Sequence, residues 1–185
     1  MQQTSVVMRL RWCREQGGDS VAMEQIGLRD IPPQVFEFVT VKEADFSGNQ
    51  LRHLTPEIHY LHNLRRLDLS QNQLLDLCHE IGELVNLIQL NLSYNHLEGL
   101  PESIGCLSCL RTLDLSRNDL VDLPLGIGGL INLRDVDFST NQLVTMPETI
   151  GALTSLTKLN LMENKLKTVP PDIGSLTSVT DLTLQ

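Results

Sequence analysis

The sequence predicts an α/β solenoid: a stack of near-equivalent coils, each with a short strand on one side and a turn of helix on the other. Three observations lead there. Segment 110–132 lies over its neighbours when slid by 23 residues, with frames opening at Val41, Leu64, Leu87, Leu110, Leu133 and Leu156. A degenerate frame opens at Gly18 and a cut-off one at Val179, and a fixed period of about 20–50 residues marks a repeat array. Apolar and polar residues alternate through Leu113, Asp114, Leu115 and Ser116, the pattern of a half-buried strand. Leu123, Pro124, Ile127, Gly128 and Leu130 then place apolar residues three apart, the spacing of a short 3₁₀ turn.

Residues 3–16 read as an amphipathic helix, with Thr4 or Ser5 as N-cap, Val6, Val7, Leu10 and Cys13 at helical spacing, and Gly17-Gly18 as the stop. An array exposes the apolar interior of its first coil, so residues 1–17 are expected to cap it. Trp12 with Arg9, Arg11 and Arg14 offers the alternative of a docking peptide. The frame at 18–40 keeps Val21, Met23, Leu28, Ile31, Pro32, Val35 and Phe38 but has Ile26 where later frames have Asn. Six full frames fill 41–178, the first with Thr55-Pro56 in place of Leu-Pro, and a truncated frame fills 179–185.

Within a frame the strand occupies only a few residues. Strands of successive coils are expected to lie parallel at about 4.8 Å, with the wider helical turns forcing the strands onto a concave face. Pro in the first turn of the return segment loses no hydrogen bond. Gly82, Gly105, Gly128, Gly151 and Gly174 are read as letting the chain leave that turn. Asn49, Asn72, Asn95, Asn118, Asn141 and Asn164 sit where the chain leaves the strand. Their amides can satisfy backbone on their own coil and on the coil before, and a first coil, with none before it, can drop the residue. They are framework.

Composition fits thin aliphatic layers: 41% hydrophobic but only 4% aromatic. A net charge of −9 argues against nucleic acid or an anionic membrane as main partner, since both call for a basic face. No apolar run approaches the ~20 residues that span a bilayer, and residues 1–16 do not read as a secretory signal. Cys13, Cys78, Cys106 and Cys109 are scattered rather than clustered at the ends, which favours reduced thiols and a cytoplasmic location.

The outward strand slots, third, fifth, seventh and eighth in each frame, make an accessible strip. It carries Glu24, Glu43, Asp45, Asp68, Asp114, Asp135, Asp137, Glu163 and Asp181 against Arg66, Arg117 and Lys158. A protein partner with a basic or mixed surface is implied, held more weakly as salt rises. Candidate partner-binding residues are Glu43, Asp45, Arg66, Asp68, Gln89, Asn91, Tyr94, Asp114, Arg117, Asp135, Asp137, Lys158 and Met162. The alternative for the Asp column is a role in a solvated strand. Tyr94 and Arg117 share a slot in adjacent coils, so they should stand about 5 Å apart, and both types anchor interfaces.

No catalytic, cofactor or metal site is predicted. Asp135 and Asp137 lie on an open, solvated strip rather than in the closed setting that paired-carboxylate chemistry calls for. Cys106 and Cys109 lack a second pair, His53, His59 and His62 have no converging ligand, and the Asn91-Leu92-Ser93 acceptor sits on a strand. The chain ends mid-strand without a recognisable cap, so either the array belongs to a longer protein or its open end associates with another copy.

The pattern L-x-x-L-x-L-x-x-N-x-L-x-x-L-P-x-x-I-G-x-L, repeated over 18–185, resembles the leucine-rich repeat. Its 23-residue form with Leu-Pro-x-x-Ile-Gly is similar to the Ras-group intracellular proteins, the Ras-suppressor and Scribble types. The resemblance implies a right-handed horseshoe, partner binding on the concave face and adaptor work in signalling, often around a Ras-like GTPase or a phosphatase. Ile26, Thr55-Pro56, Cys78 in a Pro slot and the uncapped end depart from the pattern. The function expected is a non-catalytic scaffold or binding module. The alternative is the regulatory repeat region of a larger enzyme, a kinase, GTPase or cyclase, with catalysis beyond residue 185.

Overall fold

The structure, a computed structural model, describes residues 2–184, with side chains from Ser5 onward. A helix, α1, covers Gln2–Glu15. Eight strands follow: β1 Ser20–Ala22, β2 Glu43–Asp45, β3 Arg66–Asp68, β4 Gln89–Asn91, β5 Thr112–Asp114, β6 Asp135–Asp137, β7 Lys158–Asn160 and β8 Asp181–Thr183. They form one open parallel sheet in sequence order. Each strand from β1 to β7 is followed, after a turn inward, by a 3₁₀ segment such as Glu102–Cys106 or Leu125–Gly129. The chain is an open solenoid of the expected α/β class.

Every strand pairs with the next one period on, so Leu67 faces Leu90 and Leu90 faces Leu113. Identical slots therefore stack into columns. The fourth slot (Leu67, Leu90, Leu113, Val136, Leu159) and the sixth (Phe46, Leu69, Leu92, Leu115, Phe138, Leu161) are buried along one continuous core. Each layer buries its neighbour's apolar surface, so stability is shared between coils rather than held by any one.

The Asn column closes each coil. Asn118 donates from Nδ2 to Leu115 O at 3.0 Å and Ser116 O at 3.4 Å on its own coil, and to Leu92 O at 3.0 Å on the coil before. Its Oδ1 accepts from Leu97 N at 3.1 Å, again on the coil before. The same set recurs at Asn72, Asn95 and Asn141. With no coil preceding the first, Ile26 can stand in this slot and pack against the core instead.

α1 fills the place a preceding coil would take. In later coils the fifth-slot carbonyl accepts from the sixth-slot N–H of the coil before, as Asp45 O does from Met23 N at 2.8 Å. The corresponding Ala22 O accepts instead from the Arg9 guanidinium at 3.1 Å. Arg9 also pairs with Glu24 at 2.8 Å, and Arg14 reaches Glu37 at 2.7 Å and lies 5.6 Å over the Phe38 ring. Leu10 and Cys13 are buried, but Val7 faces solvent, 65% exposed. The helix begins at Gln2, so Ser5 lies inside its first turns and not at the N-cap; the side chain of Thr4, like all of Gln185, lies outside the described residues.

Two local readings need correction. Pro101, Pro124 and Pro147 stand just before the 3₁₀ turn, in extended backbone (Pro124 φ −66°, ψ 154°), with their carbonyls accepting its first bond. Cys78 adopts the same conformation (φ −65°, ψ 153°) without the ring. The glycine column does not serve by conformational freedom. A Cβ on Gly105 would meet Gly126 O at 2.0 Å, and one on Gly82, Gly128 or Gly151 would meet the next coil's carbonyl at 2.5, 2.6 or 2.7 Å. These residues are glycine because neighbouring turns pack backbone to backbone. Gly174, the last of the column, would meet nothing within 4 Å.

Candidate functional site

The outward strand slots line a trough in two parts. The N-terminal part, about 550 Å³, gathers Glu43, Asp45, Arg66, Asp68, Gln89, Asn91 and Asp114. The C-terminal part, about 320 Å³, joins Asp114 to Asp135, Asp137 and Lys158. Thr112 and Asp114 line both. Tyr94, Arg117 and Met162 line neither part. They stand past the C-terminal ends of the strands, as a lip beside the trough.

The fifth-slot carboxylates first serve the chain itself. Asp45, Asp68, Asp114 and Asp137 each accept from the backbone N–H two residues on at 2.8–2.9 Å. Ser70 and Ser116 add their hydroxyls to the same oxygens at 2.6 and 2.7 Å. This is an Asx turn, and it bends the chain inward where the strand stops. The second carboxylate oxygen remains toward the trough. Asn91 and Asn160 interrupt the acidic column and donate to Asp68 Oδ2 and Asp137 Oδ2 at 3.1 and 3.0 Å. Each interruption removes a like charge from a row at about 4.8 Å spacing. Arg66 is held by Glu43 at 3.0 Å.

The lip owes its shape to the turn that follows. Gln25, Gln71, Tyr94, Arg117, Thr140 and Glu163, all in the eighth slot, have φ between 52° and 57°, and Gly48 in that slot has 66°. A non-glycine residue in the left-handed region is uncommon; here it recurs coil after coil, including the first, where Ile26 rather than Asn follows Gln25. This conformation throws the eighth side chains outward. Tyr94 is 51% exposed, and the Arg117 guanidinium lies 5.0 Å from the Tyr94 ring centroid; Met162, in the seventh slot just before the bend, is 40% exposed. Gly48 was the one signal in the sequence for this bend.

Other constellations fall apart in space. His53 Nδ1 meets Asp76 at 3.0 Å, whereas His59 Nδ1 meets Pro56 O at 2.8 Å and its ring leans on Tyr60. Among the described residues no group of three or more His, Cys, Asp or Glu is placed to hold a metal ion. Cys106 and Cys109 are exposed free thiols, and Cys13 is buried. Burial, aided by the charge of Glu80, pushes the Cys78 thiol up to about 11, which keeps it protonated and unreactive near neutrality. No helix among the described residues is long and apolar enough to cross a membrane.

An open parallel sheet with a solvent-facing trough defines the class as a repeat solenoid. The family described as Leucine-rich repeat region matches residues 40–185, and the chain belongs to that family, whose fold commonly mediates protein–protein interaction. A leucine-rich repeat protein of Leptospira interrogans is similar in structure, with 27% identity and a TM-score of 0.60 over 95% of this chain and 57% of that one. The leucine-rich repeat ectodomain of the Arabidopsis thaliana membrane receptor kinase GASSHO1/SCHENGEN3, in complex with CASPARIAN STRIP INTEGRITY FACTOR 2, is 32% identical with a TM-score of 0.77. There the match covers 84% of this chain and 20% of that one. The PEPR1–AtPEP1 complex gives 28% identity and a TM-score of 0.74 over 84% of this chain and 23% of that one. This chain thus spans little more than half of the first protein and about a fifth of the others. No curated protein is a significant match.

Proposed function

We propose that the chain is a non-catalytic protein-binding module, working in intracellular signalling, whose partner lies along the trough and over the Tyr94–Arg117 lip. The observation that carries this reading is the coincidence of two features on one face. An acidic strip offers long-range attraction to a basic or mixed surface, and an exposed aromatic–guanidinium pair is already stacked at its edge. Such residues anchor interfaces when a partner removes their water, and their mutual contact lowers the entropy of fixing them. The ligand-bound states of the GASSHO1/SCHENGEN3 ectodomain and PEPR1 support partner binding by this fold. A Ras-like GTPase or a phosphatase is the partner class that the Ras-group resemblance suggests, and the reduced thiols favour the cytoplasm.

Affinity capture from cell lysate tests the reading, comparing the chain with Tyr94→Ala/Arg117→Ala and with a convex-side control, Tyr60→Ala. The double variant should lose the partner that the other two retain. Equal recovery by all three would remove the lip from the binding site.

A further inference from the structure

We infer that the chain carries a second docking surface, on its flank rather than in its trough, that takes an extended acidic segment of a protein partner. The second slot of each frame lies just before the strand. In it Lys42, Arg65, Ile88, Arg111 and Arg134 form one hydrogen-bonded row, each N–H meeting the carbonyl of the residue before at 2.7–2.9 Å. Their side chains are therefore spaced at steps of about 4.8 Å. Below Lys42, Arg65 and Arg111 opens a cavity of about 760 Å³, and the row continues past it to Arg134.

The charge of this groove is opposite to that of the trough. Lys42 is neutralised by Asp19 at 2.8 Å, the one carboxylate among the lining residues. Among the described residues no carboxylate pairs with Arg65, Arg111 or Arg134, whereas Arg9, Arg11, Arg14 and Arg66 are all paired. Three unpaired guanidinium groups in one row, Arg111 and Arg134 as neighbours and Arg65 two steps from Arg111, repel one another unless a carboxylate comes between them.

The asparagines that line the same cavity fit a main chain. Asn63, Asn86 and Asn132 each donate Nδ2 to the coil before, to Val39 O, His62 O and Ser108 O at 2.8–2.9 Å. Among the described residues no donor meets their Oδ1 atoms. Those oxygens can accept backbone N–H groups from a segment lying along the row. Arg65 and Arg111 stand two steps apart, about 10 Å, which matches one turn of an extended polyproline-II chain, three residues at about 3.1 Å each. Half-buried Ile88 between them gives an apolar floor. No aromatic side chain lines the cavity, so the stacking platform that single-stranded nucleic acid uses is missing.

The test is fluorescence anisotropy of a fluorescein-labelled octaglutamate peptide titrated with the 185-residue chain at about 50 mM ionic strength, where surface charges are weakly screened. Saturable binding is expected, lost as salt rises. Arg65→Gln/Arg111→Gln/Arg134→Gln should weaken it about tenfold, each exposed charge contributing the modest share of a surface ion pair. The trough variant Arg66→Gln/Lys158→Gln should change it less than about twofold. All five side chains are exposed, and far-UV circular dichroism checks that both variants keep the fold. No binding by the parent chain, equal binding by the flank variant, or equal loss in the trough variant would overturn the inference. So would tighter binding of a single-stranded oligonucleotide of matched charge.

Discussion

The Arg117 guanidinium lies over the ring of Tyr94, 5.0 Å from its centroid, although the two residues are a full coil apart in sequence. Both have left-handed backbone, φ 56° and 57°, and it is this shared bend, repeated at one period, that brings cation and ring together. The contact is a cation–π pair at an exposed site, contributing about 0.5–1 kcal/mol.

The same bend predicts where the fold carries strain. Thr140 holds φ 54° with a β-branched side chain, the least tolerant type for that region. Thr140→Gly should raise unfolding free energy in urea by about 0.5–1 kcal/mol, the strain relieved exceeding the added freedom of the unfolded chain. Gly48→Thr should lower it by about 1–2 kcal/mol, since its Cβ would also meet Gln25 Cγ at 2.7 Å.

Asn118→Ala should be more damaging. It orphans Leu97 N and takes one partner from Leu92 O, Leu115 O and Ser116 O, which keep Asn95 Nδ2, Asn141 Nδ2 and Tyr94 N. An orphaned buried backbone group costs about 1–3 kcal/mol and a lost bond about 0.5–1.5 kcal/mol, so a loss of about 2–4 kcal/mol is expected after partial relaxation. Equilibrium denaturation measures it. A loss below about 1 kcal/mol would mean that the column is not the latch described.

Gly105→Ala and Gly174→Ala separate packing from turn propensity. The first drives a methyl to 2.0 Å from Gly126 O and the second meets open space. Thermal unfolding should fall by several degrees for Gly105→Ala, a cost of about 1–3 kcal/mol, and hold or rise slightly for Gly174→Ala.

The N-terminal staple predicts a pH signature. Burial opposes the charge on Glu24, but its hydrogen bond to Arg9, backbone bonding and the Arg9 charge outweigh it and hold the carboxyl below its ordinary 4.5. A depressed folded value stabilises above the unfolded one and is lost as pH falls through it. The stability gap between the chain and Arg9→Ala should thus be constant above pH 4.5 and narrow below it. The pair is half-wet, so that part amounts to about 1 kcal/mol or less. What persists in acid is the Arg9 bond to Ala22 O.

The columns were legible because a fixed period makes one slot's environment the same in every coil. Alternation around Leu113 gives the strand, the threefold apolar spacing gives the turn, and the Asn row gives its own hydrogen bonds. What stayed hidden depends on a neighbouring coil or on backbone dihedrals. The need for Gly105 lies in the carbonyl of Gly126. The Asx role of Asp114 competes with its place in the trough, and both are met by different oxygens. Asn63, Asn86 and Asn132 form an inter-coil ladder whose row is broken by Cys109, which masked it. Helical spacing alone groups Val7 with Leu10 and Cys13 and does not show which side of α1 meets β1.

Hydroxyl-radical footprinting of the partner complex tests the binding face most directly, because reactive side chains of similar exposure stand on opposite sides. Tyr94 and Met162 mark the lip, and Tyr60, 49% exposed, marks the Pro56–Leu61 turn on the convex side. Binding should protect Tyr94 and Met162 from oxidation and leave Tyr60 as reactive as in the free chain. Protection of Tyr60 with Tyr94 and Met162 still fully reactive would contradict it.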